Sequence, residues 1–305
     1  MRPLRYVRRL VLLVAALAAL PLLVIAGHSV AGAIAPASPP APDGAFRVAS
    51  FNIGYIRDPS GLPRWQRRRG AVTEVLKRIG ADVIAFQEME TFAGGKFNRV
   101  NRQLDWILET VPGYAVAAFG DPETYPSTQP VLYRPDVFEA VDQGFFYYSD
   151  TPDVIYSRSF DGGFDYYAST ATLRHRASGR LITFFNVHTD IRSPGNRLRA
   201  AEMIAERAAA MRAAGRAVIV LGDFNAHRGA PVLEIIRSAG LEGGRLLAPT
   251  FHLGIGLPFR LAIDHILHGP DLVMIHGPTI HRARPVGRYP SDHYPISAVF
   301  DLSGS

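Results

Sequence analysis

The chain has 305 residues, 48% apolar and 20% charged, the proportions of a globular protein with ample length for a core. Its formal net charge is +6; half of it lies in the first 45 residues, where Arg2, Arg5, Arg8 and Arg9 stand against Asp43, and the remainder is too diffuse for a nucleic-acid-binding stripe. There is no cysteine, which excludes disulfides, thiolate metal sites, cysteine nucleophiles and a lipoprotein anchor, so any metal is held by oxygen or imidazole.

The four arginines precede an apolar run from Leu10 to Ala26, interrupted only by Pro21. Ala31-Gly32-Ala33 and a Pro/Ala linker from Ala35 to Pro42 follow. Basic, apolar and small-residue regions in this order read as a secretory signal peptide; the 17-residue run is also at the short edge of a membrane span, with the arginines inside. Residues 1–45 are therefore expected to be a signal peptide or membrane anchor plus linker, and residues 46–305 the folded domain. The domain then works outside the cytoplasm: secreted, periplasmic or anchored in the plasma membrane through residues 10–26.

Phe46 to Ile53 alternates as a strand, with Phe46 and Val48 on one face and Ala49, Phe51 and Ile53 on the other. Trp65, Val72, Val75, Leu76 and Ile79 fall on one helical face, and Gly80 stands where a C-terminal cap belongs. Asp82 to Glu88 is a second buried strand ending in a carboxylate, and strand–helix–strand argues for an α/β domain. Val100, Leu104, Ile107, Leu108 and Val111 line a second helix stopped by Pro112-Gly113. Tyr114–Phe119, Val131–Tyr133 and Val137–Val141 read as short strands. Phe145 to Tyr167 is aromatic, Gly-rich and aperiodic, and reads as a long surface loop. Its rings suit a bilayer interface, packing onto the domain, or stacking on bases.

Ala168–Leu173 and Leu181–Val187 read as a hairpin whose second strand ends at Asn186, His188 and Asp190. A long Ala/Arg helix runs from about Arg197 to Ala214. Val218-Ile219-Val220-Leu221 is then an apolar run, three of its four residues β-branched, and reads as a strand buried on both faces. Gly222 permits a sharp turn, and Asp223 and Asn225, two apart, are expected to face one spot at the strand end, where open α/β sheets place ligands. Pro231–Ala239 is a helix, Ile263–Leu267 and Leu272–Ile280 are strands, and Ser291-Asp292-His293 leads into a last strand, Ile296–Leu302.

Strand ends thus supply Asn52, Glu88, His188, Asp223, Asn225, Asp264, Asp292 and His293. The order Phe-Asn-Ile, Gln-Glu, Leu-Tyr-Arg, Asn-Val-His, Gly-Asp-Phe-Asn, Ile-Asp-His-Ile and Ser-Asp-His resembles the endonuclease/exonuclease/phosphatase superfamily, also called deoxyribonuclease-I-like, from about Phe46 to Leu302. Gly-Asp-Phe-Asn and Ser-Asp-His at these separations are its specific part. The resemblance implies a four-layered α/β/β/α sandwich of two mixed β-sheets flanked by helices. It implies an Mg²⁺-dependent phosphoric ester hydrolase, with Mn²⁺ the alternative cofactor. Glu88 would be the main metal ligand with Asn52 and Asp292 nearby, a hard-oxygen set suited to Mg²⁺.

By the same resemblance Asp223 orients or deprotonates the attacking water, and Asn225 hydrogen-bonds the scissile phosphate. His293 is the catalytic histidine, as general base or as a cation on the phosphate, and Asp264 fixes its orientation and favours its protonated form. His188 contacts a phosphoryl oxygen, with a structural hydrogen bond as the alternative. Tyr133 is either a phosphate contact or a packing residue. His265 should point away from Asp264, and His227 follows a turn that breaks the alternation. His252, His268, His276 and His281 fall in loops or exposed strand positions, so none of these six is taken as catalytic. Departures from the superfamily pattern, such as Thr128-Gln129-Pro130 where many members have Asn, bear on phosphate contacts and subfamily.

The expected substrate is a phosphodiester or phosphomonoester, with a lipid head group or small phosphodiester ahead of nucleic acid. The alternatives are an extracellular DNA or RNA endonuclease and a non-catalytic binding module that kept the fold. A monomer is expected.

Overall fold

The computed structural model describes residues 2–56, 65–89, 99–158, 160–243, 246–259 and 261–302. In chain order its elements are α1 (Arg2–Ala33), β1 (Phe46–Asn52), α2 (Trp65–Ile79), β2 (Val83–Gln87), α3 (Arg102–Thr110), β3 (Ala115–Ala117), β4 (Val131–Tyr133), β5 (Phe138–Tyr147) and β6 (Tyr167–His175). Then come β7 (Leu181–His188), α4 (Pro194–Ala213), β8 (Ala217–Asp223), α5 (Pro231–Arg237), β9 (Glu242–Gly243), β10 (Asp264–His268), β11 (Val273–Ile280), a 3₁₀ turn (Pro285–Gly287) and β12 (Ile296–Asp301).

The period-two pattern decides the layers. In β1, Phe46 and Val48 enter a core between two sheets, while Ala49, Phe51 and Ile53 pack beneath helices with Trp65, Val72, Val75, Leu76 and Ile79 of α2. In β8, Ala217, Ile219 and Leu221 face the central core, and Val218 and Val220 meet Ala200, Ile204 and Ala208 of α4. Both strands are buried on both faces, as the apolar runs predict. Each large side chain so buried contributes roughly 1.5–3 kcal/mol. One sheet has the order β11-β12-β1-β2-β4-β3 and the other β5-β6-β7-β8-β10-β9. The pairs β1–β2 and β7–β8 are parallel and the other pairs antiparallel, so both sheets are mixed. The molecule is thus an α/β/β/α sandwich.

The helix boundaries carry their chemistry. Asn101 and Ser193 cap α3 and α4 by accepting from Leu104 N and Asn196 N, both at 3.0 Å. Gly80, at φ 56°, closes α2 by donating to Leu76 O. Helix α1 has a stretch, Arg9–Ala33, long and apolar enough to cross a membrane.

Three expectations change. Gly222 makes no turn: β8 runs through it to Asp223, and its φ of 146° brings the backbone against β7, where an added Cβ would lie 1.9 Å from Val187 O. The aromatic stretch is not a free surface loop. Phe145 to Tyr147 end β5, Tyr167 begins β6, and Phe146, Tyr147, Tyr148, Tyr166 and Tyr167 are buried, leaving Phe164 exposed. Packing therefore accounts for most of these rings. Tyr133 is not at the active end of its sheet: β4 runs antiparallel to β2 and sets Tyr133 opposite Val83, at the start of β2, where it packs on the central core.

Candidate active site

Parallel pairing delivers the site. β1 and β2 run side by side and end together, Asn52 opposite Gln87, with Glu88 next in the chain. β7 and β8 do the same in the second sheet, His188 opposite Asp223, and antiparallel β10 begins with Asp264 opposite Asp223. Ser291-Asp292-His293 enters just before β12, whose start lies beside Ser50 of β1. Side chains from both sheets therefore converge at one end of the sandwich.

Asp223 Oδ2 is the hub. It accepts from Asn52 Nδ2 at 3.1 Å, and the Nε2 atoms of His188 and His293 lie 3.8 and 3.7 Å away. Asn52 Nδ2 also donates to Glu88 Oε1 at 3.1 Å, and Glu88 Oε1 is 3.6 Å from His188 Nε2. His293 Nδ1 lies 3.0 Å from Asp264 Oδ2. Asp223 and Asp264 are each 2% exposed, so these charges act with little screening by water.

Burial and the neighbouring carboxylates together set the protonation. Burial first, then the Asp292 carboxylate, pushes Glu88 up to about 8. Burial and then Asp264 raise Asp223. Burial alone would lower His293, but Asp264, Asp223 and Asp292 outweigh it and hold the imidazole well above its ordinary value, as a cation. His188 is lowered, chiefly by burial, with Asp223 opposing.

The donor chemistry fits a hard divalent cation. Glu88, His188 and Asp223 present ligand atoms within 4.8 Å of one another, and Asp292 is close enough to disfavour the charge on Glu88. Crowded buried carboxylates of this kind are what a bound cation neutralises. Asp223, Asp264 and His293 form a second such group, but there the His293–Asp264 hydrogen bond already occupies Nδ1.

Eight residues named from sequence thus lie at one end of the sandwich, with one change of reason. Asn225 does not share a face with Asp223 by strand alternation. It has φ 43°, its N–H donates to Asp223 Oδ1 at 2.8 Å, and its Nδ2 donates to Thr189 O at 2.9 Å. The carboxylate it neighbours folds it into place. His265 does point away, fully buried with Nε2 2.9 Å from Ala226 O. His227 is exposed. His252 and His268, expected in open positions, are buried: His252 stacks on Tyr294 at 3.9 Å, and His268 lies against Phe300. Asp190 is structural and accepts from the N–H groups of Gly163, Arg192 and Ser193.

Sequence reasoning missed four supports. The fully buried Arg68 donates to the carbonyls of Ile53, Gly54, Tyr55 and Pro290, tying the loop after Asn52 to the segment before Asp292. Its signal was spacing: Arg68, Val72, Val75 and Ile79 share a helical face. Thr250 Oγ1 accepts from Asp264 N, and Thr250 O from Tyr294 N, so one residue sets both ends of the Asp264–His293 pair. Ser291 Oγ donates to Asn52 O at 2.8 Å. Between the sheets, Gln87 Nε2 donates to Asn186 Oδ1, and Asn186 Nδ2 to Phe86 O and Gln129 O, which fixes the β2 end against β7.

Residues 49–293 match the model of the Endonuclease/Exonuclease/phosphatase family. No curated protein matches the sequence significantly. Among solved structures, an endonuclease/exonuclease/phosphatase family protein from Bacteroides thetaiotaomicron is 25% identical, over 84% of this chain and 97% of that one, with a TM-score of 0.69. A mannosyl-6-phosphatase from the same species is 22% identical over 84% and 99%, TM-score 0.65. D. rerio TDP2 complexed with single-strand DNA product is 16% identical over 85% and 100%, TM-score 0.61. With its two-sheet sandwich, its convergent strand ends and a family match over most of its length, this chain belongs to the endonuclease/exonuclease/phosphatase family.

Proposed function

We propose that the chain is an exported, membrane-anchored, metal-dependent phosphoesterase that hydrolyses a phosphodiester or phosphomonoester. The observation that carries this reading is the juxtaposition at Asp223: a buried carboxylate in contact with Asn52 and within 4 Å of two imidazoles, beside Glu88. Glu88 and Asp292 would hold Mg²⁺, with Mn²⁺ the alternative, and Asn52 would join them only through Oδ1, which here accepts from Gly54 N; Asp223 borders that site. When bound, the cation neutralises charge on the phosphoryl oxygens and on the carboxylates around it.

Asp223 orients the attacking water and takes its proton as the new P–O bond forms and the bond to the leaving oxygen breaks. Its raised pKa makes it a better base near neutral pH than an exposed aspartate. His293, a cation held by Asp264, stabilises the negative charge that builds on the phosphoryl group and offers its proton to the departing oxygen. His188, kept neutral by burial, donates to a phosphoryl oxygen. The Asn225 amide has one N–H on Thr189 O and offers the other to the phosphate.

Export and anchoring are supported by the arginines before an apolar span. The substrate does not follow from the fold, since one structural neighbour is a mannosyl-6-phosphatase and another holds a DNA product. The weak positive charge outside the N-terminal segment favours a lipid head group or small phosphodiester over duplex nucleic acid. A substrate panel with Mg²⁺, Mn²⁺ or a chelator tests the reading. It compares phospholipids, inositol phosphates, single- and double-stranded DNA, RNA and bis-p-nitrophenyl phosphate. Metal-dependent hydrolysis of at least one phosphoester is expected. No hydrolysis of any of them identifies a binding module, and cleavage confined to nucleic acid identifies a nuclease.

A further inference from the structure

Helix α1 does not separate from the domain where its apolar run ends. Leu10 to Leu23 are exposed, but Val24, Ile25, His28 and Ser29 are half-buried and Gly32 is buried, a stripe at helical spacing. Gly32 O accepts from Arg284 N at 2.8 Å, and a Cβ at Gly32 would lie 2.5 Å from Arg282 O. His28 faces Arg282 and the Gly256 backbone. The helix thus docks on two segments, residues 252–256 and 282–286.

Both segments adjoin the active site. His252 N donates to Asp292 O, and Phe251 bridges His293 through the backbone with ring centroids 5.0 Å apart. Further along the same loop, Leu261 lines an apolar cavity of about 340 Å³ together with Leu198, Val232, Ile263 and Asn225.

Length then fixes depth. A hydrocarbon core of about 30 Å takes roughly 20 helical residues at about 1.5 Å each. Counted from Leu10, the first residue after Arg9, about 20 residues reach Ser29. The docking stripe begins at Val24, inside that span. The segments packed on it must lie at the head-group layer or just beneath. There the protein exposes Leu253, Ile255, Phe259, Leu261 and Val286, the last 73% exposed, next to Arg282, Arg284 and the exposed Arg288. Apolar tips with arginines on the neighbouring segment suit an interface with anionic head groups. The bilayer contact therefore falls on this loop rather than on the aromatic stretch at residues 145–167.

We infer that residues 253–259, Leu261 and Val286 insert into the interface of the bilayer that α1 crosses, so that the active site opens at head-group level onto phosphodiesters carried by lipids. The docking follows from the anchor, and the substrate class rests on the hydrolase reading above.

The absence of cysteine allows single labels in the full chain. Ile255→Cys and Val273→Cys, each carrying an environment-sensitive fluorophore, are reconstituted in phosphatidylcholine/phosphatidylglycerol vesicles containing lipids spin-labelled near the head group. Val273 is also exposed but pairs with Asp301, at the opposite end of the sheet. Quenching at least threefold stronger at residue 255 is expected. Equal quenching, or a chain that does not co-float with the vesicles, overturns the inference. In the same vesicles, Leu253→Asp with Ile255→Asp should slow hydrolysis of an embedded phosphodiester at least tenfold and leave bis-p-nitrophenyl phosphate turnover within twofold. Equal loss on both substrates, or on neither, contradicts it. Selective quenching at residue 255, found together with a wild-type chain that hydrolyses neither ester, supports the docking and defeats the hydrolase reading alone.

Discussion

Arg68 stands between two other arginines on α2, yet of the three it alone is fully buried. Its guanidinium takes four backbone carbonyls, from Ile53, Gly54, Tyr55 and Pro290, and so ties the loop after Asn52 to the segment before Asp292. The fork geometry matters as much as the charge, because two nitrogens serve two segments of chain. Arg68→Met leaves those carbonyls buried without a donor, and each hydrogen bond to a charged group is worth roughly 1.5–3 kcal/mol. We expect it to destabilise the protein by about 3 kcal/mol or more in urea unfolding, and Arg68→Lys to recover only part of the loss. A midpoint unchanged in Arg68→Met would remove Arg68 from this account. The same scale explains the histidines. His293 and His252 are neighbours across the Phe251–His293 bridge, but carboxylates surround one and aromatic rings the other. His293 is held charged, whereas His252 is pushed down to about 3 by burial and by the His293 charge.

At the level of elements, β8 decides how close the two sides of the site approach. Its Gly222 sits on the Val187 carbonyl of β7, and only a residue without Cβ allows that approach at φ 146°. Gly222→Ala should cost about 3 kcal/mol or more through the clash and the backbone conformation. It should also reduce activity, because Asp223 and His188 are register partners one position further on. A variant that melts within a degree or two of wild type would show that β7 and β8 can part without cost. The strands and most of the site were legible because their signals are local: an apolar run, then a polar residue at its end. What was not legible depends on partners far away in sequence. The rings between residues 145 and 167 look like surface until Phe185 and helix α4 cover Phe146 and Tyr148. Tyr133 looks like a site residue until antiparallel pairing sends it to the far end. Arg68 looks like one more exposed arginine until Pro290, 222 residues later, arrives to accept from it.

For the whole molecule, the linker is part of the structure. Arg78 donates to Ala35 O at 2.9 Å, Arg47 to Pro39 O at 2.6 Å, and Ser38 N to Arg78 O. The helix, its docking stripe and the domain are therefore tied at several points. His281, beside this junction, has its Nε2 2.7 Å from Ser297 Oγ, and burial followed by the Arg47 charge lowers it to about 4. In the unfolded chain a histidine titrates near 6.5, so between about pH 6.5 and 4 the unfolded state binds the proton and the folded state does not. Stability supplied by neutral His281 is complete above that window and is lost as pH falls through it. His281→Asn should accordingly show a smaller drop in urea midpoint between pH 7 and 4.5 than wild type, and an equal drop would assign the acid sensitivity elsewhere. The central claim, that both sheets converge on Asp223 to activate water at a phosphoryl group, is tested most directly by the turnover of Asp223→Asn. The assay uses bis-p-nitrophenyl phosphate with Mg²⁺ or Mn²⁺, alongside a melting curve that shows the fold intact. The account predicts that kcat falls by about a hundredfold or more, the scale of a lost general base; near-wild-type turnover in a folded variant would contradict it.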